Sequence, residues 1–546
     1  MNLITHPWIP VLLRNGTAAV ISPINLADAN PAMRITWPRP DFRNIGMELL
    51  IGIFAVAFCP VGRRDWSSLL KASLKGSITT EDITAKLDII KHAFELDNPN
   101  GPCFMQDFDK GLGIKAGVNT GDGNFLPPAT LLINSPGKNT IDLNRDLFIK
   151  RPRDNHVMSR ACAAIALYAY QSYADQGGAG HRVSYRGSLP ATSLIIPKDA
   201  TLLQIILANV PMQTKSITAE DYPKIFPWLA NTYTSDGNNT LKPSQIHPLQ
   251  ALFSMPRRIS LRFESNETAR RSCIVSGEID THALTGILRR MHGVDYSPIT
   301  ELHPLSPYSK RGKINKNGSI EKDLSISPNP AGVGWYDVLG YVIPDEKIKP
   351  ARCVQAYNEL DGLADASVMI YGYARDGKTV GSFIEAQFPL ISFSDPDVQD
   401  VFCTNMTALI KSAKIIAQSL RNCILSALTM SSISSVRVIM AQRQFWNEIR
   451  SRYLELFAAF HAHASTGAKL PDKWEQMWRQ LLYSVAIEIY DLTVCPDPTC
   501  GKMYTKLDGW GFVAAKQRQT LEDTLNGYSK DGKQLFASLS IPITNI

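Results

Sequence analysis

Apolar residues in the last third of the chain recur with a helical step. From Val398 onward they fall at 402, 406, 409, 413, 416, 420, 424 and 428. Alternating steps of three and four put them on one face of a long helix. The same spacing predicts a second helix carrying Phe445, Ile449, Leu456 and Phe460, and a third carrying Trp474, Trp478, Leu481 and Val485. A fourth follows Gly509, and Pro471-Asp472 marks a helix start, because proline is tolerated in the first turn. Four helices with short connections predict a bundle. The chain before this follows a different pattern. Two extended runs, 8–13 and 18–22, flank Arg14-Asn15-Gly16, and Asn-Gly between such runs predicts a hairpin. Residues 47–58 predict a buried helix, 82–96 an amphipathic one, and 159–173 a helix of small residues. Residues 97–160 are rich in Gly, Pro and Asn with little periodicity, which predicts functional loops or disorder. From 181 to 395 the pattern is mostly strands and loops.

The change of period sets a boundary at Ser392-Phe393-Ser394-Asp395-Pro396. The expected fold class is α+β, with a large mixed α/β domain over 1–395 and a four-helix bundle over 396–546. Of the 546 residues, 44% are hydrophobic and 20% charged, enough to build a sizeable core rather than a disordered chain. The 57 basic and 50 acidic residues give +7, a mild excess that permits a polyanionic partner without requiring one. Nine irregularly spaced cysteines fit a reducing cytosol better than a secreted disulfide framework. The start of the chain lacks the charged region of a signal peptide, and the apolar run 47–61 is too short to span a bilayer. A soluble, cytoplasmic protein with no membrane partner is expected.

Gly372-Tyr373-Ala374-Arg375-Asp376-Gly377-Lys378-Thr379 matches the phosphate-loop pattern G-x-x-x-x-G-K-[ST]. Such a loop needs a following helix whose N-terminus meets the phosphate. Here Val380-Gly381-Ser382-Phe383-Ile384 and then Pro389 follow, which reads as the return strand of a hairpin with a basic tip. Nucleotide binding at 372–379 is therefore the alternative reading. Gly177-Gly178-Ala179-Gly180-His181-Arg182 is either a plain surface loop or one that lets a ligand approach the backbone closely. Arg257, Arg258, Arg262, Arg270, Arg271, Arg289 and Arg290 are interspersed with Glu264, Glu267, Glu278 and Asp280. They read equally as a salt-bridged face or as a phosphate-contacting one. Arg145, Lys150, Arg151 and Arg153 make a second basic patch in the long loop region. Cys495 and Cys500 form one loose pair where structural zinc uses two tight ones, so neither a metal nor a cofactor is expected.

Taken in order, several short segments resemble one family. They are Asn2-Leu3-Ile4 with Trp8-Ile9-Pro10-Val11, then Pro102-Cys103-Phe104-Met105-Gln106, then Ala164-Ile165-Ala166-Leu167. The glycine loop, Arg186-Gly187-Ser188-Leu189-Pro190, Thr285-Gly286-Ile287-Leu288-Arg289-Arg290, His303-Pro304 and Gly372-Tyr373 follow, ahead of the helical ending. This order is similar to the CasA family, the large subunit of the type I-E CRISPR surveillance complex Cascade, over nearly the whole chain. The resemblance implies a non-catalytic subunit that reads the protospacer-adjacent motif (PAM) of duplex DNA through the minor groove and begins strand separation. It implies other Cascade subunits, the guide RNA, double-stranded target DNA and a recruited helicase-nuclease as partners. Carried over, the glycine loop is Gly177, Gly178, Ala179 and Gly180 with His181, and the basic finger is Arg289 or Arg290. The strand-separating wedge is Arg375, Asp376, Gly377 and Lys378, and the patch at Arg145, Lys150, Arg151 and Arg153 belongs to a segment docking on the guide-RNA handle and neighbouring subunits. The chain departs from the family in two places. Members commonly carry glutamine in the wedge, and some hold zinc in a cysteine cluster of which only Cys273 stands here.

Overall fold

The computed structural model describes residues 1–109, 125–135, 156–177, 180–310, 323–330, 332–344, 348–360, 365–376, 379–390, 393, 395–428, 434–494 and 509–542. The patch Arg145, Lys150, Arg151 and Arg153, the tip residues Gly178, Ala179, Gly377 and Lys378, and the pair Cys495 and Cys500 lie outside them. The chain divides into two compact units, Met1–Leu390 and Ile391–Ile546.

In the first unit, β1 (Ile9–Leu13) pairs antiparallel with β2 (Ala18–Ile21) and β3 (Ala32–Ile35). Gly16 closes the β1–β2 turn at φ 84°, where a side chain would be strained, so the Asn-Gly signal has its expected use. Helix α1 (Pro40–Phe58) starts seven residues before the apolar run, at a proline in its first turn. It is buried on nearly every side and carries the polar residues Asp41, Asn44 and Glu48 inward. Such groups tolerate burial only when bonded. Helices α2 (Gly62–Leu74) and α3 (Thr80–Asp88) follow, the latter capped by Thr79, whose side chain accepts from the Asp82 amide. The amphipathic helix expected through 96 ends early and resumes as a 3-10 turn at Lys91–Phe94.

Strand β4 (Met158–Ser159) leads directly into α4 (Arg160–Ser172), and β5 (Thr192–Pro197) precedes α5 (Leu202–Ala208). Two long strands, β6 (Arg258–Ser265) and β7 (His282–Arg290), pair with β4 in the order β4-β7-β6, with Arg258 opposite Arg290. A small sheet joins β8 (Tyr308–Ser309), β9 (Leu324–Ser325) and β10 (Ile348–Lys349). The last sheet sets β11 (Ala366–Asp376) between β5 and β12 (Thr379–Pro389).

A buried polar knot ties these layers together. Glu48 Oε1 of α1 receives Arg186 Nη2 at 2.6 Å, and the two side chains are 0% and 2% exposed. Glu48 Oε2 accepts from the hydroxyls of Tyr173 at 2.8 Å, Thr192 at 3.1 Å and Tyr371 at 3.2 Å. Arg186 also donates to Thr192 Oγ1 at 2.7 Å and Ser306 Oγ at 3.2 Å, and it lies 4.7 Å from the Tyr173 ring centre. The knot fixes the 186–190 segment, the end of α4, β5 and β11 to α1.

The second unit is helical, with α6 (Pro396–Ala427), α7 (Ser434–Glu448), α8 (Arg450–Thr466), α9 (Trp474–Val494), α10 (Gly509–Leu525) and α11 (Lys530–Ser538). Each of the other five packs against α6. All eight positions of the α6 stripe, 402 through 428, are buried. The expected second helix is two, α7 and α8, joined at the buried Ile449. On α9 the buried line runs Trp474, Trp478, Leu482, Ala486 and Ile489, whereas Leu481 and Val485 are half-exposed. The buried line drifts around the helix, because each step of four residues overshoots the 3.6-residue turn. The six helices described are two more than the expected four, because the turn at 449 and the short last helix carry no strong sequence mark.

Candidate nucleic-acid interface

The glycine loop leaves α4 at Tyr173, and its first turn is fixed by Asp175. Ser188 Oγ and Arg375 Nη2 both bond Asp175 Oδ1, and Arg375 Nη2 also donates to Ser188 Oγ at 2.8 Å. Arg257 Nη2 donates to the Asp175 carbonyl, while its amide donates to Gln171 Oε1 at 3.0 Å. Asp175 thus joins three distant stretches: the end of α4, the entry to β6 and the end of β11. Arg375 spends its guanidinium bracing the loop, so its structural part is to hold the glycine segment from below.

Gly180 sits at φ 79°. Its carbonyl accepts from the His292 amide at 2.8 Å, and the His292 carbonyl accepts from the Ser235 amide at 3.1 Å. A Cβ on Gly180 would stand 2.9 Å from Met291 Cβ and 3.1 Å from the His292 ring. Glycine is required here on two counts, a left-handed backbone and close approach to the β7 end. At Gly177, a Cβ would stand 2.6 Å from His181 Cβ. The loop and the end of β7 therefore pack as one surface, with Met291 projecting from it at 51% exposure.

The arginines differ in their partners. Arg258 Nε bonds Asp107 Oδ2 at 2.6 Å, Arg262 pairs with Glu264 at 2.8 Å, and Arg182 pairs with Asp295 at 3.0 Å. Arg289 Nη1 instead donates to the Tyr170 hydroxyl at 2.6 Å, and Arg257 to a carbonyl. Neither pairs with a carboxylate among the described residues. Arg257 is only 6% exposed, and its Nε has no hydrogen-bond partner. Burial holds the Arg257 guanidinium below its ordinary pKa, and the charge of Arg289 pushes the same way. Burial likewise lowers His181, with Arg257, Arg289 and His292 adding to the effect. Arg257, Arg289, His181 and His292 thus gather like charge, with Asp175 the carboxylate that acts on Arg257.

Gly177, Gly180, His181, Arg289 and Arg375, singled out separately along the sequence, are thus brought to one face. Arg290 lies opposite Arg258 on the paired strands. Asp376 closes the β11–β12 pairing opposite Thr379. Sequence reasoning did not single out Asp175, Tyr170 or His292, and it named Ser188 only as part of a family segment. The available signal was strand pairing, since a hairpin over 258–290 puts 257 and 291–292 at the same end.

The phosphate-loop alternative is corrected by the same hairpin. The pairing runs from Ser367 opposite Pro389 to Asp376 opposite Thr379, so the chain after Lys378 enters a strand. A phosphate there would meet no helix N-terminus. No group of three or more His, Cys, Asp or Glu side chains suited to a metal occurs among the described residues. Cys273 does not stand alone: Ser159 Oγ donates to its sulfur at 3.5 Å, and the free thiol of Cys162 lies beside it. Among the described residues no helix is long and apolar enough to cross a membrane.

No curated protein matches the sequence. Solved structures share the fold at low identity. CasA from Thermus thermophilus is 18% identical with a TM-score of 0.63, covering 96% of this chain and 99% of that one. Thermobifida fusca Cse1 is 16% identical with a TM-score of 0.64, covering 99% and 98%. A chain of a CRISPR RNA-guided surveillance complex is 14% identical with a TM-score of 0.63, covering 96% and 99%. The model of the CRISPR-associated protein Cse1 family matches residues 2–488. With the family model spanning most of the chain and the fold shared end to end, this protein belongs to the Cse1 (CasA) family, that of the type I-E Cascade large subunit.

Proposed function

We propose that this chain is the non-catalytic, PAM-reading subunit of a cytoplasmic RNA-guided complex, and that the face built by Gly180, His181, Arg257 and Arg289 meets the minor groove of target DNA. The observation that carries this reading is the stitching of Gly180 to His292, which joins the glycine loop to an arginine-bearing strand end. Minor-groove readout is chemically degenerate, which suits a short motif recognised by groove shape and backbone. Pairing with the guide then supplies sequence specificity. Arg375 acts as a positioning residue, and the β11–β12 tip beyond it supplies the wedge that opens the first base step. The patch Arg145, Lys150, Arg151 and Arg153 meets guide RNA and neighbouring subunits, and the helical unit helps recruit the helicase-nuclease.

The test assembles the chain with guide RNA and partner subunits, then measures binding to duplexes with and without a PAM at two salt concentrations. Gly180→Leu and Arg289→Ala are expected to assemble normally and to lose PAM-dependent binding by roughly 1–3 kcal/mol. Arg289→Ala should also flatten the salt slope by about 0.9. Unchanged PAM dependence in both variants would overturn the reading.

A further inference from the structure

The face proposed above holds a feature that contact with DNA alone does not account for. His181 is a half-buried imidazole acted on by the charges of Arg257 and Arg289, which bond neutral oxygens and form no ion pair among the described residues. From α4, Tyr170 contributes a hydroxyl, already taken by Arg289. From the loop after α4, Asp175 contributes a carboxylate, engaged by Arg375 and Ser188. From the entry to β6 comes Arg257, and from β7 comes Arg289. Beyond β7, His292 packs by Gly180 and acts on His181 through its charge, and its Nδ1 is buried without a hydrogen-bond partner. Asp236 lies near His292, Arg182 pairs with Asp295 and Arg258 with Asp107, and Arg290 lies opposite Arg258 on the paired strands. The balance around His181 is therefore cationic, and an anion brought to it would reverse that balance.

We propose that this cluster is a phosphodiester subsite, and that His181 takes up one proton from solvent when a backbone phosphate of bound nucleic acid seats beside Arg257 and Arg289. The inference rests on the reading that this face meets nucleic acid, and it adds the ligand group and its linkage to protons. The free protein keeps the imidazole neutral, because burial and three neighbouring cationic or imidazole groups disfavour its charge. A phosphate oxygen offsets those charges and favours the imidazolium, whose two N–H groups both donate. Binding then strengthens as pH falls through the imidazole range, by up to about tenfold per pH unit for one linked proton. Above that range no proton is taken up, and affinity is flat.

The experiment is calorimetry of the assembled guide-bearing complex with a PAM duplex, in two buffers of different ionisation enthalpy, between about pH 8 and pH 6. Wild type is expected to take up close to one proton near the lower limit. His181→Gln should abolish that uptake and flatten the pH profile, and a duplex with neutral methylphosphonate linkages at the PAM should do the same to wild type. No uptake by wild type, uptake that survives His181→Gln, or uptake unaffected by the neutral backbone would each overturn the subsite. Loss of PAM dependence in wild type itself would instead reject the underlying functional reading.

Discussion

The change Glu48→Gln tests the buried knot that carries the interface. In wild type the carboxylate balances the Arg186 guanidinium at 2.6 Å and accepts three hydroxyls through its other oxygen. Glutamine keeps the shape, but its amide presents donors toward a guanidinium that is 2% exposed. Arg186 would remain a buried charge without its counter-ion. Breaking such a pair from one side costs roughly 3–5 kcal/mol, more than the pair itself is worth against an apolar replacement. Burial alone would lower the Arg186 pKa, but Glu48 and the surrounding tyrosines outweigh it and raise the value above that of an unfolded arginine. A raised folded pKa contributes stability in full below the unfolded value, so this contribution is constant across neutral pH, where Glu48 is its charged partner. The double change Glu48→Leu/Arg186→Met should therefore cost less than the sum of its single changes, by about 0.5–3 kcal/mol. Urea unfolding, followed through the buried Trp8, Trp66 and Trp228 of the same unit, reports the transition. A Glu48→Gln protein within about 1 kcal/mol of wild type would refute the argument, since an orphaned buried charge should cost several times more.

Other changes isolate single features. Gly180→Ala combines a left-handed backbone, about 1–2 kcal/mol, with a 2.9 Å approach to Met291 Cβ; thermal unfolding should move little while target binding weakens, because the loop can shift away from β7. In the helical unit, Trp478 is fully buried and donates to Ser412 Oγ at 2.9 Å. Trp478→Ala should destabilise by roughly 3–5 kcal/mol in chemical denaturation, whereas Ser412→Ala should cost about 1–3 kcal/mol. Burial raises the Asp280 pKa, but the Arg160 guanidinium outweighs it and holds the carboxyl below the ordinary aspartate value. Its contribution is present above that ordinary value and lost as pH falls through the folded one, so melting below about pH 4 should steepen in wild type and flatten in Asp280→Asn.

Local chemistry settled much of this protein before any fold was known. The Asn15-Gly16 turn, the small-residue helix expected over 159–173 and the α6 stripe all depend on neighbours within a few residues, and all stand within a residue of where the pattern puts them. The hairpin through 372–379 was equally legible, because the residues after Lys378 read as a strand and pair as one. Where local signals were weak, the pattern erred. It merged α7 with α8 across Ile449, and it shifted the buried line of α9 by one residue at Leu481 and Val485. Tertiary structure alone decided the interface. Asp175, Ser188, Arg257 and Arg375 span two hundred residues of sequence, and only the packing of α4, β6 and β11 brings them within hydrogen-bonding reach. Packing also decided which arginines are spent on carboxylates and which rest on neutral oxygens. A charge is written in the sequence, but its counter-ion is fixed by distance, and distances between remote segments exist only once the chain has folded.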